Sequence, residues 1–239
     1  MTRRIWTVMM LSLCGIFAFA SPIKGIIGCK EILSTDGGKD KLPYDSIVEY
    51  IQTRGQQWID TGYVPKSLPV FRLEGNIPYS MSFVIGMSSR NGAFGFRVKN
   101  GNSSYGQLFL CQDSMSWGNA VAASSRLYAN TITVTSDGEK INCNNLLTPS
   151  ITFDFSQNTS SLCLCNSFLS VAYHYSDSGC RIRLFQIWDG ESLVMDLVPV
   201  RFTTPSGETD GGMYDRVSGR LFRNSGTGTF IVGPDKQED

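Results

Sequence analysis

Residues 131–143 read TITVTSDGEKINC, and this stretch decides the fold class. Ile132 and Val134 point one way while Thr131, Thr133 and Thr135 point the other. That is the period-two alternation of a strand with one face on a core and one in water. Ser136-Asp137-Gly138-Glu139 supplies turn chemistry, so residues 131–135 are expected to return through it and pair with 140–143 as a hairpin. Working outward, Phe94, Phe96 and Val98 share a face opposite Gly95, Arg97 and Lys99, and Ile151, Phe153 and Phe155 repeat the pattern with Thr152 and Asp154 outward. A second hairpin is read in residues 181–188, which turn at Asp189-Gly190 into 193–200. Pro199 there predicts a strand end or a sheet edge, because proline has no N–H for a ladder. Helical periodicity is nearly absent, and only residues 119–128 compete as a short helix. Many short strands at about 8–12-residue spacing predict an all-β antiparallel β-sandwich of the sandwich or jelly-roll kind. No second domain boundary interrupts residues 47–234.

Composition limits the function classes. The chain has 239 residues, 21 basic and 21 acidic side chains, 18% charged residues and 24 glycines. Charge is low and turn-formers are plentiful against the usual globular domain. Eleven per cent aromatic residues exclude intrinsic disorder. With no basic excess to displace counterions, nucleic acid is not expected as a partner. A chain of this length buries about 70% of its unfolded surface, enough for one core without staples.

The N-terminus reads as an address. Arg3 and Arg4 precede an apolar run from Ile5 to Phe19, and Ala18-Phe19-Ala20 gives a small-x-small cleavage pattern. Residues 1–20 are therefore expected to be a signal peptide, residues 21–46 a polar tether, and 235–239 a short tail. The apolar run is too short to span a bilayer comfortably, so no transmembrane span is expected in the mature chain. The expected location is exported: periplasmic, anchored at the outer membrane, or extracellular. Ile26-Ile27-Gly28-Cys29 resembles a bacterial lipobox, which makes Cys29 a candidate lipidation site, although Lys24 separates it from the apolar run. Of seven cysteines, Cys14 leaves with the signal peptide. The other six allow 15 pairings, while buried thiols acting as small hydrophobes are favoured for at least two of them. Cys163 and Cys165 flank one leucine, so within a strand both thiols would face the same way.

Three ordered blocks carry a resemblance: EYIQTRGQQWIDTGYVP at 49–65, RIRLFQIWDGESLVMDLVP at 181–199 and GMYDRVSGRLFRNSGTGTFIVGP at 212–234. Together they resemble the concanavalin A-like lectin/glucanase domains of secreted and phage-associated proteins of gut bacteria. The resemblance implies a jelly roll of two antiparallel sheets and a cell-surface or extracellular life, but little chemistry, because such folds host lectins, glycosidases and spacers alike. It is weakest over residues 81–175. Asn224-Ser225-Gly226-Thr227-Gly228-Thr229 looks only superficially like a phosphate loop. It lacks the Gly-Lys-Ser/Thr ending and a following helix, so a tight turn is expected.

Chemistry is read by elimination. The Glu-x-Asp-x-x-Glu strand of glucanases with this fold is missing, so the paired carboxylates of glycoside hydrolysis have no sequence signature and an enzyme is not expected. A Cys–His or Ser–His arrangement would have to use His174, which is read as lying in a loop, and there is no GxSxG elbow. No spacing resembles a zinc site. No cofactor is expected. Calcium is the alternative, since some lectins of this fold need it, but Asp210 and Asp215 read as turn residues. Sugar binding needs aromatic faces beside polar side chains. The candidates are Trp117 first, then Tyr105, Tyr173 and Tyr175, with His174 between the last two, whereas Trp58 and Trp188 sit in strand patterns and are read as core.

The expected function is that of an exported, non-catalytic, lectin-like module that binds a polysaccharide or glycoconjugate by aromatic stacking and polar side chains. The rival is a structural or adhesive module contacting other cell-surface proteins, which an exposed edge at residues 81–85 would favour. A glycoside hydrolase with an atypical carboxylate pair is the lesser alternative.

Overall fold

The computed structural model describes residues 42–77, 82–89, 92–99, 106–112, 120–124, 131–151, 154–156, 158–169 and 172–237. Residues Leu42–Asp239 form one unit, and every described element is a β-strand. In chain order the strands begin with β1 (Ser46–Ile47), β2 (Ile51–Gln52), β3 (Ile59–Asp60), β4 (Val70–Asn76), β5 (Ser82–Ser89) and β6 (Gly92–Lys99). They continue with β7 (Gly106–Gln112), β8 (Ala120–Ser124), β9 (Thr131–Asp137), β10 (Ile141–Cys143), β11 (Leu146–Leu147), β12 (Cys163–Leu164) and β13 (Asn166–Leu169). The last are β14 (Ala172–Tyr175), β15 (Arg181–Asp189), β16 (Ser192–Thr203), β17 (Thr209–Asp215), β18 (Leu221–Phe222) and β19 (Ile231–Val232). An 11-stranded antiparallel sheet has the path β11-β10-β9-β4-β15-β16-β17-β18 with β1, β2 and β19 attached, and a 6-stranded sheet runs β3-β12-β5-β6-β7-β8. The fold is an all-β antiparallel sandwich, as the alternation predicts. Among the described residues no helix is long and apolar enough to cross a membrane.

The core lies between the two sheets. Phe71, Leu73, Ile132, Val134, Phe185, Ile187 and Leu197 of the large sheet and Ile85, Met87, Phe96 and Val98 of the small one belong to a single buried cluster. Burying one such side chain stabilises the fold by about 1.5–3 kcal/mol. The first hairpin forms as read: Asn142 pairs with Thr135 and Cys143 with Val134. The Asp137 carboxylate accepts the N–H groups of Lys140 at 2.7 Å and Glu139 at 2.8 Å, which holds it below the usual carboxylate range and fixes the turn. The second hairpin also forms, with Asp189 opposite Ser192 and Gln186 opposite Asp196.

That second hairpin is forked. Its strands pair only as far as Phe185 and Leu197, and beyond that point the N-terminal segment enters between them. Ser46 and Ile47 pair with Arg201 and Val200 on one prong, while Ile51 and Gln52 pair with Ile182 and Arg181 on the other. The sheet therefore takes up the chain at Ser46, inside the stretch read as tether. The residues read as a tail are also held, since Asp235 accepts from Ser46 Oγ at 2.6 Å and pairs with Arg201 at 2.9 Å.

Pro199 departs from expectation. It lies inside the 12-residue strand β16, buried, and opposite Met213. Its carbonyl accepts the Val48 N–H at 3.0 Å, but it has no N–H to return, and the ladder between β1 and β16 stops at Ile47. In an antiparallel ladder both backbone groups of a residue face one neighbour. The missing donor therefore falls on the fork, and the partner on the other side loses nothing.

Other expectations are corrected by local geometry. Ile151, Asp154 and Phe155 are not in a strand, because the Asp154 carboxylate accepts the Ser156 N–H at 2.9 Å and closes a turn, although Phe155 is still buried and Asp154 exposed. Ala120–Ser124, within the stretch where a helix competes, is a strand paired with β7. Ser82–Ser89 is no edge: β6 pairs along it on one side, while β12, Ser176 and Asp177 cover the other. Residues 172–175 form strand β14 against β13, so His174, read as a loop residue, stands in a strand opposite Ser167.

The cysteines behave as core residues. Cys143, Cys165 and Cys180 are fully buried, Cys163 is half-buried, and all four are free thiols. Cys165 has a φ of 66°, so the strand ends before it and the alternation expected of Cys163 and Cys165 does not apply. Burial pushes the thiols of Cys143, Cys163 and Cys165 up to about 12 and raises Cys180 as well.

Candidate functional site

The face of the large sheet turned away from the core is polar. Inward residues of β9 (Ile132, Val134, Ser136) and β4 (Phe71, Leu73) are buried, which leaves Thr133, Thr135, Arg72 and Glu74 on the other side. The register aligns them in rows, with Glu74 opposite Thr133 and Arg72 opposite both Thr135 and Gln186. One residue row thus runs across four strands, Asn142–Thr135–Arg72–Gln186, and continues to Asp196.

At the β10 end of this face lies a concavity of about 890 Å³ lined by Thr133, Thr135, Asn142, Asn144 and Asn145. Its wall is made by the β10–β11 hairpin, whose two-residue turn is Asn144-Asn145 with φ of 49° and 66°. Both central residues need positive φ in such a turn, and asparagine tolerates it better than most residues. Asn144 also clamps the neighbouring strand: its Oδ1 accepts the Thr133 N–H at 2.9 Å and its Nδ2 donates to Thr131 O at 3.2 Å. By contrast, the side chains of Thr133, Thr135 and Asn142 have no hydrogen-bond partner among the described residues. The concavity therefore offers uncharged donors and acceptors and no carboxylate.

Trp188 belongs to this face, not to the core. Phe185 and Ile187 point inward, which puts Gln186 and Trp188 outward, with Trp188 opposite Val70 and Leu193 and half-buried. The expectation that Trp188 fills the core fails for that reason, whereas Trp58 does pack against the core. An aromatic ring thus stands one row along from Gln186 and Arg72 on the face that carries the concavity.

Next to the concavity, over the fork, lies a groove of about 610 Å³ lined in part by Glu49, Arg72, Glu74, Arg183, Arg216 and Lys236. Arg72 is bonded to Glu74, and Arg183 stands 3.9 Å from Glu49 and donates to Asn76 at 2.6 Å. Arg216 grips one oxygen of buried Asp196 with Nε at 2.8 Å and Nη2 at 2.7 Å, while the other oxygen accepts from Gln186 at 3.0 Å.

Of the residues expected from the sequence, Trp117, Tyr105 and Cys29 lie outside the described residues. Tyr173, His174 and Tyr175 stand together on β14, whose partner β13 pairs with no other strand. Asp210 and Asp215, the calcium alternative read as turn residues, lie instead in strand β17 with their carboxylates engaged: Asp210 accepts from Gly211 and Phe230, and Asp215 from Asp196 and from Val217 and Ser218 of the turn that follows. The glycine-rich run 224–229 is a clasp on residues 56–58. Ser225 donates to Trp58 O, Thr227 to Gln56 O and Gln57 Nε2 to Thr227 O.

Fold and site define an antiparallel β-sandwich with a polar, hydrogen-bonding sheet face. No family model matches the chain, and no curated protein matches it.

Proposed function

We propose that this protein is a glycan-binding module of concanavalin A-like type that holds its ligand on the polar face of the large sheet without cleaving it. The observation that carries the reading is the concavity whose Thr133, Thr135 and Asn142 side chains are unengaged, on the face that also carries Trp188. Sugar hydroxyls both donate and accept, and amide and hydroxyl groups answer both functions, while an indole face stacks on a pyranose ring. The resemblance of residues 49–65, 181–199 and 212–234 to lectin/glucanase domains supports the same reading. Hydrolysis needs two carboxylates about 5–9.5 Å apart across a scissile bond. The concavity has none in its lining, and Glu49 and Glu74 nearby are each partnered by an arginine. The leader at residues 1–20 supports an exported location, where polysaccharide is met.

Affinity gel electrophoresis of the protein through a panel of plant, bacterial and host polysaccharides tests this. Slowed migration in at least one gel is expected, with no shortening of the polysaccharide on incubation. Unaltered migration throughout would contradict the reading and leave a structural or adhesive role.

A further inference from the structure

We propose that the groove beside the concavity takes an anionic group of the same glycan, so that the ligand is an acidic polysaccharide; this rests on the glycan reading above. The chain as a whole carries no net charge, yet four cations line this groove, Arg72, Arg183, Arg216 and Lys236, against two carboxylates, Glu49 and Glu74. Counting Asp196 beneath Arg216 still leaves positive charge in excess. Each arginine stands beside one carboxylate, Arg72 by Glu74, Arg183 by Glu49 and Arg216 by Asp196, so the excess is the charge of Lys236, and the arginines are held in place with donors to spare. Arg216 uses Nε and Nη2 on Asp196, which leaves Nη1 and its protons for another acceptor, and Arg183 uses Nε on Asn76. Lys236 is exposed and its ammonium group has no partner among the described residues. A guanidinium held by a buried carboxylate, as Arg216 is by Asp196, is a pre-organised fork for a further carboxylate or sulfate.

Continuity with the concavity comes from the register. Arg72 lies opposite Thr135 and Glu74 opposite Thr133, so groove and concavity meet along β4 and β9. Neighbouring strands are about 4.8 Å apart, close to the length of a sugar ring. An oligosaccharide laid across the strands would meet neutral hydroxyl and amide groups at one end and cations at the other. A uronate carboxylate or a sulfate ester at the second position would satisfy them.

The probes are polygalacturonate and dextran sulfate, each run in affinity gels beside its uncharged parent, methyl-esterified polygalacturonate and dextran. Stronger retention in at least one charged gel is expected, falling at about 0.3 M salt because exposed ion pairs are screened. Retention by the carboxylate probe alone or the sulfate probe alone identifies the anion. Lys236→Glu should weaken the charged-gel retention about fivefold, the range expected of an exposed charge reversal. That position makes no side-chain contact the fold depends on, so the variant should fold. Equal retention by charged and uncharged gels, indifferent to Lys236→Glu, would overturn this inference and leave glycan binding standing. Retention by none of the four gels would overturn it too, and slowed migration in any other polysaccharide of the wider panel would then still uphold glycan binding.

Discussion

The ring of Phe71 stacks on the ring of Phe96, centroids 5.9 Å apart and planes 11° from parallel. Phe71 belongs to β4 of the large sheet and Phe96 to β6 of the small one, so this contact ties the two layers together. Phe185 completes the cluster at 6.1 Å from Phe71.

Truncating Phe96, which is fully buried, should therefore remove the joint and leave a cavity. Phe96→Ala is expected to cost about 3–5 kcal/mol, read as a lower urea midpoint with an unchanged slope. A cost within error of a surface substitution would mean the sheets do not pack through this contact.

Gly226 should tolerate no side chain. A Cβ there would stand 1.9 Å from Gln56 O and 2.7 Å from the Trp58 ring, so Gly226→Ala must push the clasp open. Overpacking of this kind costs about 1–3 kcal/mol, and a Trp58 fluorescence change on substitution would report the opening. The exposed neighbour Ser225→Ala should change neither; a silent Gly226→Ala would refute the clasp.

The thiols predict an alkaline weakness. The folded state holds their protons up to about 12, while an unfolded thiol ionises near 9.0. Stability is complete below the unfolded value and is lost as pH rises from there towards the folded one, by up to about 1.4 kcal/mol per pH unit for each thiol. Cys143→Ala should flatten the dependence of unfolding free energy on pH above 9.0 relative to the parent, and an unchanged slope would contradict the burial of that thiol. In the native state Cys143, Cys165 and Cys180, fully buried, should also resist an aromatic disulfide reagent until denaturant is added.

How much of this was legible in the sequence depends on what each residue had to reveal. Alternation at 131–135 and the Asp137-Gly138 turn announce a hairpin because both signals are local, and the hairpin is there. Pro199 reads as a strand end or a sheet edge because a lone strand cannot show that its neighbour changes from β15 to β1 near that residue. Trp188 reads as core because strand pattern does not say which face is inside, and only the burial of Phe185 and Ile187 decides it. The concavity does have a local signal, the Asn144-Asn145 pair between two short strands, whose positive φ values make the wall. The groove had none, since Glu49, Arg72, Arg183 and Lys236 meet only after the N-terminal segment enters the fork.

If glycan binds on the face that carries Trp188 and Asn142, both side chains should be needed for retention. The most direct measurement compares Trp188→Ala and Asn142→Ala with the parent in the polysaccharide gel that retards it most. Both side chains lie outside the buried cluster, so both variants should keep the parent's unfolding free energy to within about 1 kcal/mol. Each variant should lose most of the retardation. Retardation equal to the parent's in both variants would place the ligand elsewhere and contradict the site.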